Sequence, residues 1–267
     1  MTEEVLRLYH YAADYDLDSG TFQADIPFWL EAARRCGANS VFELACGTGR
    51  VAIPLARAGV RDGYSVTGLD ITPEMLERAR EKLKAEEGAV QDNLKLVQGD
   101  MRSFRLADKY DLIFIPFNSV GHLLSLEDQI ATFRCVREHL SDGGRFIIAV
   151  FNPDLHRLLA QSHPPQTVNL EKDVPVPHMG MRLLRYFSGA YDDHEQLTSG
   201  KFIHEKIWLG GKVEKYVNDF MMHIFFPREL RLLFMHCGYQ VEEVFGNYDW
   251  SQFQKGSPMT IHVGKKA

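Results

Sequence analysis

The chain has 267 residues, 45% of them hydrophobic and 25% charged, with a formal net charge of −6. That is one large domain, or one domain carrying an insertion, with enough apolar material for a sizeable core. No dense Lys/Arg tract offers a footprint for nucleic acid, and no apolar run approaches the ~18 residues of a membrane span. The acidic start, Met1-Thr2-Glu3-Glu4, leads into no apolar signal segment, and the four cysteines form no CxxC pair. A cytoplasmic protein with reduced thiols is expected.

Residues 40–150 alternate short β-branched runs with helical patterns. Strands are predicted at 41–45, 65–70, 94–98, 111–116 and 145–151, with helices near 50–59, 72–86 and 126–140. Alternation of this kind implies βαβ units and a parallel sheet covered on both faces. Thr72 is placed to cap the helix that Pro73 opens, and Ser125 with Asp128 approximates a capping box. Asp142-Gly143-Gly144 reads as the turn into the fifth strand.

Beyond residue 153 the pattern changes. Pro164-Pro165 and Pro175-Val176-Pro177 interrupt regular structure. Three runs then alternate as strands do, at 181–191, 201–209 and 212–226, with Gly210-Gly211 as a hairpin turn. A helix at 227–237 and strands at 240–245 and 259–263 close the chain. The expected organisation is a core of residues 1–155 plus 227–267, with 156–226 inserted as a small antiparallel sheet. The last core strand should run antiparallel, because no helix separates it from its predecessor.

Gly47-Thr48-Gly49 ends the first strand and opens a helix. Such glycines permit a sharp turn and close approach of a ligand, and a helix N-terminus offers free N–H groups. With Ala52 the stretch also fits the dinucleotide fingerprint, and Asp70 ends the next strand where ribose hydroxyls are held. The loop alone therefore leaves a nicotinamide dinucleotide open.

Three further features argue against it. Glu43 sits four residues before the first glycine, where a negative charge would repel a pyrophosphate. It suits a ligand with a cationic end, or it orders the loop through water. Gly99-Asp100-Met101 follows the third strand, where a carboxylate beside a backbone N–H can read an adenine edge. Asp111 begins a fourth strand that ends in Pro116-Phe117-Asn118-Ser119, facing the crevice in which open α/β sheets bind ligands.

These residues together resemble a class I S-adenosylmethionine-dependent methyltransferase. Glu43 to Gly49 is similar to that family's first motif, Asp70 to its ribose-binding acid, and Gly99-Asp100-Met101 to its adenine motif. Phe117 to His122 is similar to the segment facing the reacting methyl, and the wording resembles the small-molecule branch of sugar and glycine-type N-methyltransferases. His122 stands where that branch often has Tyr.

The resemblance implies a Rossmann-like, seven-stranded core with an inserted antiparallel sheet. It implies S-adenosylmethionine as cofactor, S-adenosylhomocysteine as product and a small-molecule acceptor methylated on nitrogen or oxygen. Glu43, Ala45, Gly47, Thr48, Gly49, Asp70, Ile71, Met75, Asp100, Met101 and Phe117 are the cofactor-binding candidates. His122, Asn118 and Tyr15 are the candidates for catalysis, His122 as general base and Tyr15, of the tyrosines Tyr9, Tyr11 and Tyr15, as part of a lid. A non-catalytic cofactor-binding sensor is the alternative. The histidines show no metal-ligand spacing, so no metal is expected. The inserted sheet reads either as a lid over the acceptor or as a homodimer interface, and Tyr248-Asp249-Trp250 either lines a pocket or packs on the edge.

Overall fold

The computed structural model describes residues 11–162 and 167–267. Tyr9, His10 and His163-Pro164-Pro165 lie outside the described residues. Contacts divide the chain into two compact units: Gln23–Asn152 with Phe225–Ala267, and the N-terminal segment to Phe22 with Pro153–Ile224.

The first unit is built on a seven-stranded sheet. Strands β1 (Ser40–Leu44), β2 (Ser65–Asp70), β3 (Leu94–Gln98), β4 (Tyr110–Ile115), β5 (Leu140–Phe151), β10 (Tyr239–Phe245) and β11 (Met259–Lys266) stand in the order β10-β11-β5-β4-β1-β2-β3. β1 to β5 pair in parallel, while β11 runs antiparallel to both β5 and β10. Helices α2 (Ile26–Arg35), α3 (Ala52–Asp62), α4 (Pro73–Leu83), α5 (Gly88–Asp92), α6 (Leu126–His139) and α8 (Pro227–His236) complete this unit.

The period of two sorts the strands onto two cores. Val41, Leu112, Phe114, Ile147 and Ile261 join one cluster, with Phe28, Trp29 and Leu55 from the helices. Phe42, Ile113, Phe146 and Ile148 join the other, with Phe133 and Phe234. Trp29 stacks on Phe114 with ring centroids 4.4 Å apart. Truncating one such buried aromatic costs ~3–5 kcal/mol, so both faces of the sheet are pinned near the strand ends.

Two local expectations need correction. Thr72 occupies the cap position of α4 in extended conformation, but its side chain makes no cap bond. It turns to Asp70 instead. Asp142-Gly143-Gly144 is not a turn before β5 but lies within the strand. β5 already pairs Leu140 with Tyr110, then shifts register so that Arg145 pairs with Leu112, as a bulged segment does. Ser125 does cap α6, accepting from Asp128 N–H at 3.2 Å.

The second unit carries a four-stranded antiparallel sheet, β6 (Asn169–Val176), β7 (Met181–Asp192), β8 (Leu197–Trp208) and β9 (Val213–His223), in that order. The hairpin at Gly210-Gly211 is present, with Gly211 at φ +84°. β6 contains Pro175, which masks its strand pattern in the sequence. As an edge strand it has one side free of ladder bonds, where a residue without N–H is tolerated. Residues 156–162, expected within the inserted sheet, belong instead to a helix, α7 (Leu155–Ser162), whose first turn is capped by Asp154 Oδ1.

The remaining helix, α1 (Ala12–Asp18), groups with this sheet rather than with the Rossmann-like core. Its two buried carboxylates explain why. Asp14 accepts from the Tyr216 hydroxyl at 2.7 Å and pairs with Lys206 at 2.7 Å. Asp18 pairs with Lys172 at 2.7 Å and with Arg185.

Candidate active site

Four loops leave the carboxyl ends of β4, β1, β2 and β3, which are neighbours in that order in the sheet. β4 and β1 flank the point where the strand order reverses, the place where open α/β sheets bind ligands. Backbone strain gathers there too. Ala45, Phe117 and Asn118 have φ of +57°, +52° and +67°, three of five such non-glycine residues among those described. Each costs on the order of 1 kcal/mol or more, and such strain is characteristic of binding sites.

Gly47 has φ +55°, and a Cβ built on it meets no protein atom within 4 Å. Its N–H donates to Asp70 Oδ2 at 2.8 Å. Asp70 Oδ1 accepts from Thr72 N–H at 2.9 Å, so one carboxylate ties the loop after β1 to the loop after β2. Burial pushes the Asp70 carboxyl above its usual range, against the pull of those N–H bonds. Gly49, at φ +75°, serves packing: a Cβ there would lie 3.1 Å from the Ile53 side chain. The Thr48 hydroxyl accepts from Lys82 Nζ at 3.2 Å. Ile71 is half-buried beside Asp70, and Met75 is buried in the first turns of α4.

Glu43 lies inside β1 and is buried. Desolvation drives its carboxyl well above the carboxylate range, with Arg50 opposing and Asp25 and Asp70 reinforcing. Ala52 N–H donates to it, so Glu43 holds the exit of the loop into α3. Behind it sits an arrangement the sequence reading missed. Arg50 clasps Asp25 through two bonds of 2.5 and 2.8 Å, and Trp29 Nε1 donates to Asp25 at 3.2 Å. Asp25 is fully buried and the Arg50 side chain nearly so. Arg50 follows Gly49 immediately, but nothing local marks Asp25, which lies 25 residues away.

Asp100 follows β3 and is engaged by Arg102 through both carboxylate oxygens, with Nε at 2.9 Å from each. Arg102 reaches on to Asp128 at 2.9 Å. Desolvation works upward on Asp100, but the Arg102 bonds hold its carboxyl below the usual range. It is therefore a fixed anion at neutral pH with part of its acceptor capacity taken. Met101 beside it is buried.

After β4, Asn118 N–H donates to Ala149 O at 3.0 Å, and Asn118 Oδ1 accepts from Phe151 N–H at 3.1 Å. The left-handed residue thereby locks its segment to β5. Phe117 is half-buried, with the Arg50 guanidinium 5.0 Å from its ring centroid. Tyr248 is half-buried on the loop between β10 and β11, and Phe117 N–H faces its hydroxyl. His122 is buried in a 3₁₀ turn, Ser119–His122. Tyr15 lies on α1, which belongs to the unit of the inserted sheet, while the other candidates belong to the core unit.

A methyltransferase-domain model matches residues 41–144, the span of these four loops. Among curated proteins, the dTDP-3-amino-3,4,6-trideoxy-α-D-glucopyranose N,N-dimethyltransferase of Streptomyces venezuelae is 32% identical over 45% of this chain and 45% of its own. Among solved structures, the CcbJ methyltransferase of Streptomyces caelestis is 26% identical and superposes with a TM-score of 0.73 over 91% of this chain and 95% of that one. The amino pentose methyltransferase CalS10 of Micromonospora echinaspora, solved with S-adenosylmethionine bound, shares the fold at 19% identity. Its TM-score is 0.70 over 96% of both chains. Residues 41–144 carry a methyltransferase domain, and the chain is similar in sequence and fold to the class I S-adenosylmethionine-dependent methyltransferases, whose methyl donor is S-adenosylmethionine.

The residues present fit that donor. Gly47 leaves a cradle that a side chain would fill. Asp70 accepts from the Gly47 and Thr72 N–H groups and from the Thr72 side chain, which fixes its carboxylate at the end of β2, where open α/β sheets hold the ribose of a bound nucleotide.

Proposed function

We propose that the enzyme transfers the methyl group to a nitrogen of a small hydroxylated amine. The observation that carries this reading is the Gly47–Asp70 clasp at the strand ends, with Asp100 beyond β3 and the strained Phe117-Asn118 turn beyond β4. The preference for nitrogen draws on the relative from Streptomyces venezuelae, whose name specifies an aminosugar N,N-dimethyltransferase.

In this reading Asp70 accepts from the donor's ribose hydroxyls, and Asp100 with Met101 N–H reads the adenine edge. Ile71, Met75 and Phe117 pack against the base and sugar, and Ala45, Thr48 and Gly49 shape the loop. Glu43 holds that loop through Ala52. The bound donor supplies a methyl made electrophilic by its sulfonium. What the chain must add is alignment and exclusion of water, which can account for ~7–11 kcal/mol of barrier.

An amine present as its free base needs no base before transfer; His122 takes the proton that the new ammonium then releases. Asn118 holds the turn that presents His122, and Tyr15 with the inserted sheet selects the acceptor. The test is transfer of labelled methyl to a panel of small amines and their alcohol counterparts, with product analysis. N-methylated products are expected, and products methylated only on oxygen would refute the nitrogen assignment.

A further inference from the structure

Buried polar atoms without a partner are rare in native proteins, and each calls for a cause. Three of them share one face of the inserted sheet: His204 Nδ1, Asn218 Nδ2 and Arg185 Nε. The register puts them together. Arg185 pairs with His204 across β7 and β8, and Phe202 pairs with Asn218 across β8 and β9. Directly opposed residues share a face, and so do residues two apart on one strand. His204 and Asn218 are thus diagonal neighbours, roughly 7 Å apart at the backbone, within reach of one small group. Each is only 4% exposed.

The chemistry of the cluster narrows what it can hold. Asn218 Nδ2 can only donate. Desolvation lowers the His204 pKa to about 4, so the ring is neutral at pH 7 and Nδ1 can accept or donate. A hydroxyl does both and satisfies the pair at once. The surrounding charges already balance. Lys172, Arg185 and Lys206 face Asp14, Asp18 and Glu171, so an ionic ligand would arrive uncompensated. Beside the nitrogens lies apolar ring surface: Phe202 packs against Phe187 at 5.1 Å and Phe220 at 4.8 Å.

We infer that this face of the inserted unit is a recognition site for a neutral hydroxyl on a saturated ring, supplied by the methyl acceptor. The inference rests on the proposed function only in taking that ligand to be the acceptor. The imidazole and the carboxamide read the hydroxyl, and the phenyl rings receive the C–H face of the ring that bears it.

The test compares two amines built on a saturated six-membered ring, on the full chain by calorimetry: glucosamine, which carries hydroxyls, and cyclohexylamine, which carries none. Glucosamine should bind at least about ten-fold tighter. Asn218→Leu should reduce the ratio to below about three-fold without lowering the melting temperature, since an unsatisfied donor is removed along with its cost. His204→Phe, which keeps the stacking on Tyr216 (4.6 Å), should do the same and serves if the first variant fails to fold. Equal binding of the two amines to the wild type, including no binding of either, overturns the inference. So does discrimination that survives both substitutions. S-adenosylhomocysteine affinity, measured on the same proteins, should be unchanged throughout. Its loss in the wild type would count against the donor site instead, so the two failures are distinguishable.

Discussion

Asp70→Ala removes a side chain that joins the loops after β1 and β2. Both oxygens accept backbone N–H groups, from Gly47 at 2.8 Å and Thr72 at 2.9 Å. Truncation strands two donors in a setting where the residue is 8% exposed. An unsatisfied buried donor costs ~1–3 kcal/mol, so unfolding free energy should fall by about 2–4 kcal/mol if the loops relax only in part. The ribose hydroxyls would lose their acceptor as well, a further ~1–3 kcal/mol, or about 5- to 150-fold in affinity. Asp70→Asn keeps the shape but must turn an NH₂ toward one of the two N–H groups, so its losses should fall between those of wild type and Ala. Urea unfolding gives the first quantity and calorimetry with S-adenosylhomocysteine the second. An Ala variant that binds S-adenosylhomocysteine as tightly as wild type would falsify the assignment of Asp70 to the donor site.

The glycines of the loop should separate. Gly47→Ala meets no protein atom, so its stability cost is about the 1–2 kcal/mol of a left-handed alanine while donor affinity drops; Gly49→Ala also crowds Ile53 and should lose more stability, as paired melts would reveal. Asp25→Ala leaves the buried Arg50 guanidinium uncompensated and should destabilise by about 3–5 kcal/mol, whereas Asp25→Leu with Arg50→Met should recover much of that loss in urea titrations. Burial lowers both His204 and His262 to about 4. The folded chain therefore binds fewer protons than the unfolded one between pH 6.5 and 4, and stability should be intact above pH 6.5 and fall as pH drops toward 4. At ~1.4 kcal/mol per pKa unit the loss approaches 3 kcal/mol for each histidine. His262→Phe should flatten the decline measured by chemical denaturation across that window.

Much of this molecule could be read from its residues because the relevant signals are local. The period of two in β1 to β5 and the glycines behind β1 each depend on a few consecutive positions, and so does the acid that ends β2. What escaped was set by distance. Asp25 becomes part of the site only because Arg50 reaches back to it, and no spacing rule links the two. The sequence offers Asp100 as a reader of the adenine edge but does not show that Arg102, two residues on, engages both of its oxygens.

By its place in the chain the N-terminal helix is expected in the core. Asp14 and Asp18 take it to the inserted sheet, where Lys206, Arg185 and Lys172 await them. β6 was hidden by Pro175, which an edge position tolerates and a central one does not. Register decided the rest: that His204 and Asn218 share a face followed only once Phe202 was known to pair with Asn218.

The most direct test of the account is the atom that receives the methyl. The enzyme is incubated with S-adenosylmethionine labelled in its methyl group and with glucosamine or a related hydroxylated amine, and the product is analysed by mass spectrometry and NMR. The account predicts label on nitrogen, with transfer lost in Asp70→Ala and reduced in His122→Phe. Label on a hydroxyl oxygen, or transfer undiminished in Asp70→Ala, would contradict it.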